Sequence, residues 1–279
     1  MMSQPWVSVV TPCLNARRFL EETILSVKTQ DYPKVEHIVI DGGSTDGTLD
    51  IFQEYSEHLT WISEPDRGQA DAINKGWRLA RGEILAYLNA DDTYAPRAIS
   101  RVVKFLAAHP DVDMVYGKCN VINEQHYVVG QLNVPKFSLQ KLIHSRCYIP
   151  QPATFVRTKA IQRVGMMDVS LKYAMDYDLW IRIGMACRVE HIPHVLANFR
   201  ILGETKTSTQ DWDMLMESIS VSKRYGGNML SGWYLQLLKK RVRSSKQWKV
   251  LKRAVPFWLR RWPSVLWLLP ETLLDVFYE

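Results

Sequence analysis

The chain has 279 residues, 47% of them hydrophobic, with a net charge of +6. That size suits one large globular domain, or a domain with an appendage. Four widely spaced cysteines (Cys13, Cys119, Cys147, Cys187) without a C-x-x-C pair argue against a disulfide framework or a zinc site and fit a reducing cytoplasm.

The start, "MMSQPWVSVV", lacks a basic n-region and a long apolar core, so no secretory signal is expected. No stretch approaches the roughly 20 apolar residues of a spanning helix. "WVSVVTP" reads as a buried strand stopped by Pro12, followed by a helix from Arg17 with Phe19, Leu20, Thr23, Ile24 and Val27 on one face. "VEHIVID" is a second strand ending at Asp41. The turn "GGSTDGT" then leads to a helix over 49–55 capped by Ser44 or Asp46. "LTWIS" is a third strand, "GQADAINKGWRLARG" a helix closed by Gly82, and "EILAYLN" a fourth strand. A helix runs from Pro96 to His109, and "VDMVYG" is a fifth strand.

This alternation predicts an α/β fold with a mostly parallel sheet flanked by helices. Ligands of such sheets bind at the carboxyl ends of the strands. Four strand ends carry polar or turn-forming residues: Thr11 to Asn15, Asp41 to Gly43, Ser63 to Arg67, and Asn89 to Asp92. Beyond Gly117 the pattern loosens into a hairpin over 118–131, a short helix over 139–144, a strand in "YIPQPATFVR", a helix in "MDYDLWIRIGMA" and a helix over 211–225. No internal repeat or low-complexity segment is present.

The strand-end residues have definite chemistry. Hard cations such as Mg2+ or Mn2+ take oxygen ligands, commonly one or two carboxylates with substrate phosphate oxygens. Asp91 and Asp92 suit that task, with Asp92 in direct or supporting contact; the polar opening of a loop explains them equally well. The glycines of "DGGSTDGT" admit an anion close to the backbone, but neither a P-loop nor a dinucleotide fingerprint is present, and a plain strand-to-helix turn is the alternative. Asp41 suits a base or ribose hydrogen bond. Arg67 suits a diphosphate or nucleobase, with Asp66 orienting it or touching ligand. Asp176 and Asp178 lie two apart on a helix and so point in different directions. One, at a helix N-terminus facing a cleft, fits a general base, while Asp178 fits a pair with Arg182. His144, His191 and His194 are isolated and read as structural or surface residues.

"VSVVTPCLNARRFLEETILSVKTQDYPKVEHIVIDGGSTDGT", "EPDRGQADAINKG", "LNADD" and "MDYDLWIRI" together resemble family 2 glycosyltransferases with the GT-A nucleotide-diphospho-sugar transferase fold, over about residues 6–200. The resemblance implies inverting, metal-assisted transfer of a sugar from a UDP-, GDP- or dTDP-sugar to an acceptor hydroxyl on a saccharide or lipid-linked saccharide, in surface polysaccharide or glycolipid synthesis. It places Thr11, Pro12, Asn15, Asp41, Asp66, Arg67, Asn89 and Ala90 on the donor, and Asp91 with Asp92 at a Mg2+ or Mn2+ ion. It makes Asp176 the base, and Gln151 and Arg200 acceptor or phosphate contacts. Two departures stand out: Asn89 replaces the first Asp of the DXD motif, and Met175 the Glu of the Glu-Asp motif. The alternatives are a nucleotidyltransferase with a similar sheet, and a catalytically silent sugar-binding or scaffold protein.

The expected organisation is a catalytic domain over 1–227, with a nucleotide-sugar half (1–118) and an acceptor half (119–227), then a basic, Trp-rich helical tail over 228–279. Between Met229 and Pro270 lie ten basic and no acidic residues, which leaves the rest of the chain at −4. Five tryptophans interleave with them (Trp233, Trp248, Trp258, Trp262, Trp267), a combination suited to anionic lipid headgroups. Nucleic acid is not expected as a partner, because the body is acidic and no stacking-platform motif is present. The tail is therefore expected to hold the protein on the cytoplasmic face of the plasma membrane, unless its tryptophans pack on the catalytic body. Full-length protein should float with anionic liposomes in a density gradient; protein that stays at the bottom contradicts the membrane reading.

Overall fold

In a computed structural model, residues 4–202 and 211–227 are described. The tail expected over 228–279 lies outside these residues. Strands β1 (Val7–Cys13), β2 (Val35–Asp41), β3 (Thr60–Ser63) and β4 (Ile84–Tyr87) pair in parallel in the order β3-β2-β1-β4. Their register puts Cys13 opposite Asp41 and Asp41 opposite Ser63, so the carboxyl ends form one row. The converging strand ends anticipated from the sequence are thus a real edge.

The alternation of side chains along each strand sorts two cores. Val10, Ile38, Ile40, Leu85 and Tyr87 pack on one face with Ile73 and Trp77 of α3 (Gln69–Leu79). Val7, Val9, Ile84 and Ala86 pack on the other with Ile99, Val102 and Leu106 of α4 (Ala98–Ala108). Helix α1 (Leu20–Lys28) turns Leu20, Thr23, Ile24 and Val27 inward, the face its sequence periodicity predicts, although it begins three residues later than expected. Helix α2 (Thr48–Glu54) starts after Gly47, which adopts a left-handed conformation at the N-cap position. Ser44 does not cap it; Asp46 accepts the Thr48 N–H from one residue further upstream.

The second half departs from a simple repeat. β6 (Met114–Ile122) and β7 (Val128–Gln131) form the expected hairpin. β8 (Thr154–Arg157) inserts antiparallel between β4 and β6, and β9 (Val189–Arg200) pairs with β6 in parallel and with the two-residue β5 (Thr93–Tyr94) antiparallel. The nine-stranded sheet is therefore parallel in its first half and mixed as a whole. The 118/119 division expected between the two halves falls inside β6. Helices α5 (Leu139–His144), α6 (Thr158–Val164), α7 (Met175–Ala186) and α8 (Asp211–Arg224) complete the described chain. Among the described residues no helix is long and apolar enough to cross a membrane.

The approach of α3 to β1 is set by Gly76. A Cβ built there would lie 2.4 and 2.8 Å from the two methyls of buried Val10. Because a β-branched side chain in a packed core has no spare rotamer, Gly76→Ala should overpack this contact despite its better helix propensity. The expected loss is about 1–3 kcal/mol, read as a lower denaturation midpoint; an unchanged or raised midpoint contradicts it.

Candidate functional site

A cleft of about 840 Å³ opens at the carboxyl edge of β1 and β4. Of the residues expected on the donor, Pro12, Asn15, Asp66, Asn89 and Ala90 line it, together with Asp91. Loop chemistry explains why they converge. Asn15, with a left-handed backbone (φ 50), accepts the Thr45 N–H at 2.9 Å and donates its own N–H to Ser44 Oγ at 2.7 Å, bracing the loop after β1 against the loop after β2. Asp66 Oδ1 accepts the Gly68 N–H at 2.8 Å, and Gly42 carries no side chain where a Cβ would lie 2.8 Å from Asp66 Oδ2. Gln69, at the start of α3, donates from Nε2 to Asn89 Oδ1 at 2.6 Å.

Three expected donor contacts lie elsewhere. Thr11 is buried behind the cleft, bonded through Oγ1 to His37 Nε2 at 2.8 Å, and burial pushes the His37 imidazole down to about 4, so it stays neutral. Asp41 is fully buried, and its carboxylate accepts from the N–H groups of Gly43 and Ser44 at 3.0 and 2.9 Å and from the hydroxyls of Ser44 and Ser63. With four protein donors on its two oxygens, Asp41 shapes the "GGS" loop rather than contacting a base or ribose. Arg67, just ahead of α3, is 72% exposed and ion-paired at 3.0 Å with Asp71 in the first turn of that helix. Asp71, not Asp66, orients it.

Asp91 and Asp92 separate sharply. Asp91 is half-buried and lines the cleft; burial raises its carboxyl, a cost that a cation would offset. Asp92 is fully buried, accepting the Arg200 N–H at 2.9 Å and the Asn89 amide at 3.4 Å, and burial with Asp91 beside it raises its carboxyl as well. The expected direct metal contact of Asp92 is thus corrected to a supporting role, since its oxygens face protein donors. No group of three His, Cys, Asp or Glu among the described residues forms a metal cage. One cleft-facing carboxylate nonetheless fits a hard cation that draws its other ligands from water and a diphosphate.

Arg200, expected on a phosphate, is the largest correction. Its side chain is 0% exposed. Nε donates to the Asp91 carbonyl at 2.8 Å, Nη1 to the carbonyls of Asn123 and Glu124 at 3.1 and 3.2 Å, and Nη2 to Glu22 at 2.6 Å, while the guanidinium lies 4.4 Å from the Phe19 ring centre. Every guanidinium nitrogen is used within the protein. Gln151 donates from Nε2 to the Tyr87 carbonyl at 2.6 Å, buttressing the end of β4.

Asp176 sits in the first turn of α7, half-buried, and burial raises its carboxyl to about 6. It does not line the cleft, but its charge pushes the buried Tyr87 hydroxyl of β4 further up. Asp178 is buried and pairs with Arg182 at 2.8 Å, as its i,i+4 spacing predicts. Cys13 lines the cleft, but burial next to Asp41 pushes its thiol far above the ordinary range, so it is no thiolate nucleophile. All four cysteines are free thiols.

Sequence reasoning missed Arg18, Phe19, Gln69 and Glu124, which also line the cleft. Arg18 and Glu124 form an ion pair across it. Arg18 and Phe19 directly follow the first polar strand end, and that was their available signal. Glu124 has none, because its position depends on the β6–β7 hairpin folding over α1.

A curled mixed α/β sheet with flanking helices and a cleft at the β1–β4 edge defines a GT-A glycosyltransferase fold. Solved structures share it: S. aureus TarS in complex with UDP-GlcNAc (TM-score 0.63, 20% identity, 78% of this chain and 66% of that one), and a mannosyltransferase from Pyrobaculum calidifontis in complex with GDP-Man and Mn2+ (TM-score 0.59, 21% identity, 90% and 84%). The family model of Glycosyl transferase family 2 matches residues 8–164, and the chain belongs to that family. Its relatives include an uncharacterized glycosyltransferase of Mycobacterium tuberculosis (29% identical over 89% of this chain and 97% of that protein) and a PGL/p-HBAD biosynthesis glycosyltransferase of Mycobacterium bovis (30% identical over 81% and 88%). The protein is a glycosyltransferase, which sets aside the nucleotidyltransferase reading.

Replacing Arg200 leaves the carbonyls of Asp91, Asn123 and Glu124 without their buried donor. At about 1–3 kcal/mol for each group stranded away from water, Arg200→Ala should lower stability by about 3 kcal/mol or more, read by chemical denaturation. A loss below about 1 kcal/mol, the scale of an exposed pair, contradicts the hub.

Proposed function

We propose that this protein transfers a sugar from a nucleotide-diphosphate donor to an acceptor hydroxyl with inversion at the anomeric carbon. The observation that carries the reading is the half-buried Asp176 carboxyl in the first turn of α7, raised to about 6 and near enough to Tyr87, the last residue of β4, for its charge to raise that hydroxyl; the loop that leaves β4 carries the cleft-lining Asp91. A base with that affinity is mostly ionised at neutral pH and still accepts a proton readily. It takes the acceptor hydroxyl's proton as the oxygen attacks the anomeric carbon, opposite the departing nucleoside diphosphate. One displacement with one base inverts the centre and needs no enzyme nucleophile, consistent with the inert Cys13 thiol.

Asp91 would hold a divalent ion, Mg2+ or Mn2+, which supplies charge stabilisation to the diphosphate as it leaves. The Mn2+ and GDP-Man of the P. calidifontis neighbour, and the UDP-GlcNAc of TarS, support a metal-linked nucleotide sugar as donor. Asn89, held by Gln69 and Asp92, and Asn15 offer polar groups at the cleft wall for the nucleoside. The name of the M. bovis relative supports an acceptor in glycolipid synthesis.

With UDP-GlcNAc or GDP-mannose and Mn2+, turnover should rise as the pH passes upward through about 6, following ionisation of Asp176. Asp176→Asn should cut kcat by about 10²–10⁴. GDP or UDP with Mn2+ should raise the melting temperature of the wild type and not of Asp91→Ala, since a ligand at 100 Kd adds about 2.7 kcal/mol. Turnover and thermal shift unchanged in both variants refute the reading.

A further inference from the structure

α7 begins without a side-chain cap: Ala174 occupies the N-cap position and offers no acceptor. Helix N-termini leave their first N–H groups without intrahelical partners, and the chain entering one is free to shift unless something holds it. Here the holder comes from α8. Glu217 Oε1 accepts the Lys172 N–H at 2.7 Å, and Oε2 accepts those of Tyr173 and Ala174 at 2.6 and 3.2 Å. Three successive N–H groups converging on one carboxylate make an anion nest, two residues upstream of Asp176.

α8 is itself latched to the same region. Leu215, Ile219 and Val221 are buried in the core that contains Leu179 and Trp180 of α7. Ser222 Oγ donates to the Ile143 carbonyl at 2.8 Å, and Arg224 and the Tyr225 hydroxyl reach buried Asp178 at 3.1 and 2.8 Å. The helix is thus anchored at its C-terminal end on α7 while Glu217 grips the segment leading into it.

Resting on the assignment of Asp176 as base, we propose that Glu217 is a positioning residue: its carboxylate, seated on the N–H groups of Lys172, Tyr173 and Ala174, fixes the start of α7 and so the orientation of Asp176. Three titratable groups from other elements face Asp176: Glu217 of α8, Tyr87 of β4, and Cys147 ahead of the 3-10 turn over 151–153. Burial raises the tyrosine and the thiol, so both stay neutral near pH 7, whereas Glu217 acts to raise the Asp176 carboxyl. Glu217 therefore contributes a like-charge effect as well as a grip, and removing its charge should let Asp176 ionise at lower pH.

The test compares wild type with Glu217→Gln and Glu217→Asp. In Glu217→Gln, amide exchange at residues 172–174 should speed up at least about tenfold. The Asp176 titration, followed by carboxyl 13C NMR and assigned by its loss in Asp176→Asn, should move to lower pH. Nucleoside diphosphate release from UDP-GlcNAc or GDP-mannose should lose about tenfold or more in kcat with donor KM within twofold, because misplacing a catalytic group by about 1 Å costs up to 10²-fold. In an Asp176→Asn background the same change should add less than about twofold, since the two act as a unit. Met216→Ala, an exposed neighbour on α8, is the control and should leave exchange at 172–174 unaltered. Unchanged exchange and titration in Glu217→Gln overturn the proposal. Should that variant not fold, Glu217→Asp, its carboxylate withdrawn by one methylene, must show the faster exchange, and undiminished protection overturns the proposal equally. If Asp176→Asn keeps wild-type turnover, the base assignment fails, while exchange and titration still decide the role of Glu217.

Discussion

The buried guanidinium of Arg200 is the interaction on which the cleft depends. A permanent charge taken out of water must be hydrogen-bonded at every nitrogen or it unfolds its surroundings. Arg200 meets that demand by joining the end of β9 to the Asp91 turn, the β6–β7 hairpin and α1. Its own N–H then holds Asp92. The cleft-facing carboxylate of Asp91 is therefore presented by a turn whose carbonyl and neighbouring side chain are tied to one residue of the last described strand. The Asp91 side of the cleft is thus braced from β9, the β6–β7 hairpin and α1 together.

The same logic divides the carboxylates of the site into two kinds. Asp41 and Asp92 are fully buried with protein donors on their oxygens, so they hold loops. Asp66, Asp91 and Asp176 keep acceptor capacity free, and the first two line the cleft. Exposure follows the same division, since Asp41 and Asp92 are fully buried whereas Asp66, Asp91 and Asp176 are only half-buried. What distinguishes them is whether backbone N–H groups and hydroxyls have already used the oxygens. Helix α8 extends this pattern to the second half, where Glu217 spends its carboxylate on the approach to α7.

The first half of the fold was legible because its elements obey simple periods. β1 and β2 are short β-branched runs and β4 a short, fully buried apolar run, all bounded by turn residues, and the apolar face of α1 follows a helical repeat. β9 was not legible. Over Val189–Arg200 the sequence mixes two histidines, a proline and buried aliphatics, and its burial follows no strict alternation because it runs beside β6 through irregular register. β5, only two residues long, exists because β9 pairs with it. α6 was hidden between a strand and a glycine, with too few residues to show a period.

The sequence by itself determined the order of the α/β units, the polar residues at the strand ends, the family they mark and Asp176 at the start of its helix. These follow from local periodicity and motif spacing, which neighbouring residues carry. Only the tertiary structure decided that Asp91 faces the cleft while Asp92 turns away, that Asp41 and Arg200 are structural, and that Arg67 pairs with Asp71. In the cases of Asp92 and Arg200, the deciding bond joins residues 108 apart. A side chain's chemistry states which bonds it is able to make; which of them remain available for a ligand depends on the partners that folding places beside it.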